Sequence, residues 1–152
     1  MATSFIQIFD DIHNAKSQKQ RGELLNQYRS DHLEQILWYA FHPDVKWLIP
    51  EGDPPFTRSA EDKSSTLLYS ALRRIRYFCE GPGGENFCMG EKVNNIKRET
   101  MFIGLLEELT PDEADIVLQM KNKNFDKVNG LTYKLVADTF PFLIPPLKPK
   151  EN

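Results

Sequence analysis

The spacing of apolar residues is the feature that most constrains how this chain can fold. Apolar side chains recur every three or four positions through most of the sequence, as at Phe5, Ile8 and Ile12. That spacing places them on one face of an α-helix, whereas a half-buried strand needs strict alternation of apolar and polar residues. Such alternation is nearly absent. The sequence therefore predicts an all-α fold.

Local start signals divide the periodic pattern into about seven helices. The clearest start is Thr110-Pro111-Asp112-Glu113, which offers a capping hydroxyl, a proline at the first helical position and a glutamate that closes a capping box. The last predicted helix follows residues 130–132 and runs to about Phe140. The other predicted starts are Ser4, Ser17, Asp31, Ser64 or Ser65, and Asn94 or Asn95.

Residues 43–63 interrupt the helical pattern with four prolines. Proline lacks a backbone donor and fixes φ, so this segment is predicted to be extended or turned. Trp47 and Phe56 either anchor the loop to the core or form an epitope for a protein partner, and both readings stay open. The predicted architecture is a compact bundle of about seven helices with this long Pro-rich loop (43–63). We expect a single domain at 1–145 and a Pro/Lys-rich tail at 146–152.

Composition narrows the function classes. No apolar run approaches the roughly 20 residues that span a bilayer, and the N-terminus lacks the pattern of a signal peptide. Two cysteines, Cys79 and Cys88, form no disulfide framework, which fits a reducing compartment. We therefore expect a cytoplasmic protein without a membrane partner.

No local motif for catalysis, metal binding or cofactor binding occurs. The three histidines lie in different predicted elements, and neither an HExxH nor a paired CxxC spacing is present. A GxSxG elbow, a P-loop and a GxGxxG turn are also missing. The sequence thus predicts a protein that is not an enzyme and has no cofactor, although an enzyme built from scattered residues stays open.

Charge is sorted along the sequence. Residues 63–98 hold seven Lys/Arg against three Asp/Glu, and residues 121–152 hold six against three. Residues 99–120 hold six acids and no base. This polarity indicates either a charged binding face or solvated helix faces that happen to cluster.

The strongest local candidate for binding is the basic stretch at 121–134. Gly130 permits a tight turn, and the next helix start offers unpaired N–H groups and a positive dipole end that can hold a phosphate. The same residues also fit an ordinary helix-start turn with solvating lysines. The predicted nucleic-acid-binding residues are Lys121, Lys123, Lys127, Gly130, Leu131, Thr132 and Lys134, with a second basic cluster at Arg73, Arg74 and Arg76.

Both ends of the chain resemble the helical N-terminal DNA-binding domain of tailed-phage ATP-dependent DNA ligases. The opening at 8–28 is similar to the start of that domain, and residues 105–125 and 130–146 are similar to its close, with the exit FPFLIP at 140–145. The resemblance implies a helical fold that binds duplex DNA through contacts to the DNA backbone. On this likeness Gly130, Leu131, Thr132 and Lys134 match the turn and helix start that face phosphate.

A second resemblance covers most of the chain. Residues 47–55 (WLIPEGDPP) and 98–102 (RETMF) look like a family of small phage proteins of unassigned function. The ligase adenylation motif Lys-x-Asp-Gly is missing, so we expect no ligation. The leading prediction is a non-catalytic phage protein that binds nucleic acid, chiefly duplex DNA, through phosphate contacts in the host cytoplasm. The alternative is an interaction protein that docks on a host or phage protein through Trp47 and Phe56 or the acidic corner at 107–115.

Overall fold

Helices dominate the computed structural model, which describes residues 3–62, 64–84, 87–128 and 130–146. Over these ranges the strands are a two-residue antiparallel pair, β1 (Lys46–Trp47) and β2 (Cys79–Glu80), so the predicted all-α class is confirmed. None of the helices in the same ranges is long and apolar enough to cross a bilayer. The α-helices are α1 (Phe5–His13), α2 (Gln18–Gln27), α3 (Asp31–Phe41), α4 (Leu67–Ala71), α5 (Asn95–Glu108), α6 (Pro111–Asn122), α7 (Phe125–Val128) and α8 (Tyr133–Thr139), and 3₁₀ helices span Leu72–Phe78 and Gly90–Lys92.

Most helix starts follow the local signals read from the sequence. The side chains of Ser4, Ser17 and Asn94 each accept a hydrogen bond from the backbone N–H three residues later. Thr110 and Glu113 form the predicted capping box at the start of α6. These caps satisfy N–H groups that have no partner inside a helix, which fixes where the helices begin.

The start of α3 was predicted one residue late. The cap is Ser30, whose Oγ accepts from the Leu33 N–H at 3.1 Å, and Asp31 is the first helical residue. An acid at that position favours the positive end of the helix dipole without acting as the cap.

The fourth helix also departs from its prediction. It begins at Leu67, where the Glu113 carboxylate of α6 accepts from the Leu68 N–H at 2.8 Å. The Ser65 hydroxyl donates to the same carboxylate and does not act as the cap. After Ala71 the segment tightens into a 3₁₀ helix that ends at Phe78, so the predicted single helix has two geometries.

Helix α6 occupies the centre of the core. It packs against α1, α3 and α5, with Val117 and Met120 fully buried. Phe125 of α7 stacks between Phe9 of α1 and Phe41 of α3, with ring centroids 5.2 and 5.9 Å away. Burying side chains of this size contributes about 1.5–3 kcal/mol each, so these residues add substantially to stability.

The proline-rich loop is tied down along its length. The Lys121 Nζ donates to the Gly52 carbonyl oxygen at 2.8 Å, and the Ser59 hydroxyl donates to the Leu109 carbonyl oxygen at 2.7 Å. The first hydrogen bond attaches the loop to α6, and the second attaches it to the connection between α5 and α6. The loop therefore lies as a strap across these two helices.

A buried arginine completes the attachment. The Arg98 guanidinium donates to the carbonyl oxygens of Gly90 (2.6 Å), Val93 (2.7 Å) and Leu48 (3.2 Å), and to Asn95 Oδ1 (2.8 Å). Because every acceptor is a neutral oxygen, the guanidinium replaces lost water contacts without an ion pair. Arg98 thus joins the residue that follows β1, the second 3₁₀ helix and α5.

Candidate functional site

Lys121, the first predicted phosphate ligand, is buried and used by the protein itself. Its Nζ donates to the Gly52 carbonyl oxygen and to Asn122 Oδ1, both at 2.8 Å. Burial lowers the pKa of Lys121, while the carboxylates of Asp53 and Glu51 partly offset that effect. The ammonium group is therefore a clamp on the 43–63 loop.

Lys123 is engaged in the same way. It ends α6 in the left-handed region, with φ of 53°, and its Nζ donates to the carbonyl oxygens of His42 (3.1 Å) and Val45 (2.7 Å). Although much of the side chain is exposed, burial around the ammonium lowers the pKa of Lys123. The ammonium closes the turn after α3.

The predicted arginine cluster is divided among separate partners. The Arg74 guanidinium pairs with the Glu108 carboxylate of α5 at 2.6 Å and holds the pKa of that carboxyl below its usual value. The Arg76 Nε donates to the Arg73 carbonyl oxygen at 2.7 Å, and the Arg73 side chain is exposed.

The Gly130 turn packs against α2. Gly130 has a φ of +75°, and its carbonyl oxygen accepts from the Gln18 amide at 3.1 Å. A Cβ added at Gly130 would lie 2.8 Å from Arg21 Cζ. The guanidinium is the end of a flexible side chain that can move, so the positive φ is what favours glycine at this position.

The residues after that turn start helix α8 and stabilise it. Leu131 is fully buried, and Thr132 Oγ1 accepts from the Leu135 N–H at 3.1 Å, which makes Thr132 the helix cap. Lys134 pairs with Asp138 one turn later at 2.9 Å, an exposed pair whose hydrogen bond raises the pKa of Lys134.

Two of the predicted cations keep unpaired side chains. Arg73 and Lys127 are exposed, and neither makes a side-chain hydrogen bond or ion pair to any residue that the structure describes. In those same ranges no group of three or more His, Cys, Asp or Glu side chains is arranged to hold a metal ion. Most polar side chains of the predicted phosphate-binding set therefore make hydrogen bonds or ion pairs within the protein.

The alternative docking residues, Trp47 and Phe56, are half-buried. The Trp47 Nε1 donates to the Tyr39 carbonyl oxygen at 3.0 Å, and its ring meets Phe102 edge-on at 6.3 Å. Phe56 packs on the core beneath the Arg58 guanidinium, 5.0 Å from its ring centroid. Both side chains anchor the strap to the core.

A different surface gathers exposed aromatic rings. A groove of about 480 Å³ lies between one face of α3, the turn at 87 and the exit segment after α8. On α3 it is lined by residues at helical spacing, which places them on one face. The lining residues are Asp31, Glu34, Gln35, Trp38, Tyr39, Phe87, Phe142 and Leu143.

Phe87 is fixed on one wall of the groove. The Tyr39 hydroxyl donates to the Phe87 carbonyl oxygen at 2.6 Å, and the Trp38 ring lies 5.5 Å from the Phe87 ring. Burial raises the pKa of Tyr39 well above its usual value, so the phenol stays protonated and keeps donating. A Cβ on Gly83 would lie 2.7 Å from the Phe87 ring, so the glycine-rich turn at 81–84 makes room for that ring.

Phe142 forms the opposite wall. Phe140 and Ile144 are buried on either side of it, which turns the intervening Phe142 outward with 61% of its surface exposed. The Arg29 guanidinium stacks over the Phe142 ring at 4.7 Å and pairs with the Glu34 carboxylate at 3.0 Å. This pair fixes the ring without covering it.

The groove has an acidic rim. Glu34 is neutralised by Arg29, whereas Asp31 is exposed and makes no side-chain hydrogen bond or ion pair among the described residues. The half-buried Gln35 amide likewise has no partner there, so it is available to donate and to accept. Aromatic rings, an amide and a carboxylate are therefore accessible together on one concave surface.

The sequence analysis did not identify this groove. Trp38 lies off the apolar stripe of α3, and Phe87 and Phe142 stand in the two glycine- and proline-flanked segments. One signal in the sequence could have identified it: large aromatic residues stand at positions that the apolar pattern predicts to be exposed to solvent.

The comparison with known proteins gives one match. Residues 8–127 match the family described as "Family of unknown function (DUF6433)". Trp38 and Phe87 lie inside this range, and Phe142 follows it. Neither a curated protein nor a solved structure matches the chain. Because the family match covers most of the chain, the protein belongs to this family of unknown function.

Proposed function

We propose that the protein is a non-catalytic interaction module that docks on another protein through the aromatic groove. The observation that carries the proposal is the clustering of Trp38, Phe87 and Phe142 around one concave surface. Aromatic residues are enriched at the centres of protein interfaces, where they bury large areas at low entropic cost. The sequence predicts protein docking through Trp47 and Phe56 or through the acidic corner at 107–115. Trp47 and Phe56 are half-buried, whereas Phe87 and Phe142 of the groove are exposed.

Site-specific photo-crosslinking tests this function. p-Benzoylphenylalanine replaces Phe142 in one variant and Ile96 in a control, because Ile96 is 80% exposed on α5 and does not line the groove. Both variants are irradiated in cells that naturally express the chain. We expect protein adducts from position 142 that survive nuclease treatment and are absent from position 96. Equal adducts from both positions, or none from position 142, would contradict docking through the groove.

Duplex-DNA binding by a phage protein is the second candidate. It is supported by the exposed, unpaired cations Arg73 and Lys127 and by the resemblance to phage ligase domains. Much of that resemblance rests on residues 130–146, beyond the family match at 8–127, so the match carries no information on this part. Two phosphate contacts would give a slope of about −1.8 in log affinity against log salt.

Fluorescence anisotropy on a random duplex tests the second candidate. Replacing Arg73 and Lys127 by alanine should flatten the salt dependence if these residues hold phosphates. An unchanged slope, or no binding at low salt, would leave protein docking alone.

A further inference from the structure

A deeper inference concerns the ligand of the groove and rests on the proposed docking function. We propose that the groove binds an extended, proline-containing peptide that carries a lysine or arginine, presented by a partner protein. Proline-rich segments adopt the polyproline II helix before binding, and they dock on grooves lined by aromatic rings. Three features of this groove fit that chemistry.

The first feature is the ring geometry. Trp38 and Phe87 meet at 53° with centroids 5.5 Å apart, so their faces form the sides of a notch and not a flat stack. Phe142 forms a separate exposed wall, held by Arg29. A polyproline II helix has three residues per turn, so its prolines project as ridges that can enter notches between aromatic side chains.

The second feature is the unpaired amide of Gln35. The side chain lies on the groove face of α3 and makes no hydrogen bond within the described part of the chain. A polyproline II segment has no internal hydrogen bonds, so its carbonyl oxygens need donors from the binding surface. Gln35 supplies such a donor, which a helical peptide with satisfied carbonyl oxygens does not need.

The third feature is the sign of the charge. Asp31 is exposed and unpaired at the rim, while the Glu34 carboxylate is balanced by its ion pair with Arg29, so these three groups leave one net negative charge, that of Asp31. A cation on the ligand is attracted to this rim, whereas a phosphate chain is repelled. The acidic rim therefore separates a basic peptide from single-stranded nucleic acid, which also stacks on aromatic rings.

A titration with defined peptides tests the proposal. The probe is a fluorescent peptide of about eight residues, or about 25 Å when extended, with alternating prolines and two lysines. Comparison peptides replace the prolines by alanine or the lysines by glutamate, and a single-stranded oligonucleotide and an amphipathic helical peptide serve as competitors. Binding is followed by anisotropy, and by Trp38 fluorescence in a Trp47→Phe background.

Variants of the protein assign the site. Phe142→Ala should weaken binding at least about tenfold, because an exposed aromatic anchor is lost. Asp31→Asn should weaken the lysine peptide about threefold and leave a norleucine version unchanged. Ile96→Ala, on another face, should have no effect. Circular dichroism checks that each variant stays helical, which we expect because Phe142, Asp31 and Ile96 are all exposed.

Several results would overturn the inference. Equal affinity for the alanine peptide, preference for the oligonucleotide or the helical peptide, or full binding by Phe142→Ala would each contradict a polyproline ligand. If position 142 still crosslinks to proteins while every proline peptide fails, the docking function stands and the ligand class is wrong. If both the crosslink and the peptide binding are absent, the docking function itself fails.

Discussion

A buried carboxylate at the start of α6 gives the sharpest test of the fold. One oxygen of Glu113 accepts from the Ser65 hydroxyl (2.6 Å), the Thr110 hydroxyl (3.0 Å) and the Thr110 N–H (3.4 Å). The other oxygen accepts from the Leu68 N–H at 2.8 Å. Glu113 has no exposed surface, so water cannot replace these bonds. This one side chain therefore joins the starts of α4 and α6.

Replacing Glu113 by alanine should be strongly destabilising. The Leu68 N–H and the Ser65 hydroxyl are both buried, and each costs about 1–3 kcal/mol when left without an acceptor. Loss of the capping box at Thr110 adds about 1 kcal/mol. We expect the free energy of unfolding to fall by about 3–7 kcal/mol. Glu113→Gln should cost about 2 kcal/mol, because one acceptor oxygen remains while the new NH₂ faces a donor.

Urea denaturation followed by circular dichroism measures both changes. The matched control is Glu108→Gln, which removes a charge of the same type from an exposed pair with Arg74 and should cost less than about 1 kcal/mol. A double-mutant cycle with Ser65→Ala should show a coupling of about 1 kcal/mol. A loss below about 1 kcal/mol for Glu113→Ala, or equal losses for both glutamine variants, would refute the assigned role.

Three further predictions concern two glycines, the buried guanidinium of Arg98 and the two cysteine thiols. Gly130→Ala should lower stability by about 1–2 kcal/mol because of its positive φ, whereas Gly104→Ala, in the open interior of α5, should raise it by about 0.5–1 kcal/mol, as measured by thermal unfolding. Arg98→Lys should cost about 2–3 kcal/mol in urea, because one ammonium cannot serve four acceptor groups and leaves carbonyl oxygens unpaired. Burial raises the pKa of both cysteine thiols, so at pH 7.5 iodoacetamide should label Cys88 slowly and Cys79 only on unfolding, as followed by mass spectrometry. Fast labelling of Cys79 in the native protein would contradict its burial.

Sequence reasoning predicted the features that depend on nearby residues. The caps at Ser4, Ser17 and Asn94 use a hydroxyl or amide three residues from its donor, so the whole interaction is contained in a short window. The change to 3₁₀ geometry after Ala71 and the shared use of Ser65 by Glu113 depend on tertiary packing, and no local pattern encodes them.

The groove could not be predicted because it combines three distant segments. Trp38, Phe87 and Phe142 belong to α3, a glycine-rich turn and the exit after α8, and only the packing of α8 and the turn on α3 brings them together. Each ring stands out in its own segment of the sequence, but nothing in the sequence indicates that the three rings lie side by side. The two tryptophans differ from what the sequence pattern indicates. Trp47, in the proline-rich loop predicted as a possible epitope, anchors that loop to the core. Trp38, in helix α3, lines the groove.

The sorted charges also have an explanation inside the molecule. The basic segment 63–98 meets the acidic segment 99–120 at the Arg74–Glu108 pair, and the proline-rich loop meets the same acidic segment at the Arg58–Asp115 pair. The loop also lays its Gly52 carbonyl oxygen against the Lys121 ammonium. Exposed pairs of this kind contribute little energy each, but opposite charges at matched positions favour this arrangement of the strap over others. These two pairs connect the acidic segment of α5 and α6 to the elements packed on it. A ligand surface is therefore better sought where polar groups and rings are left without partners, as they are around Gln35 and Asp31.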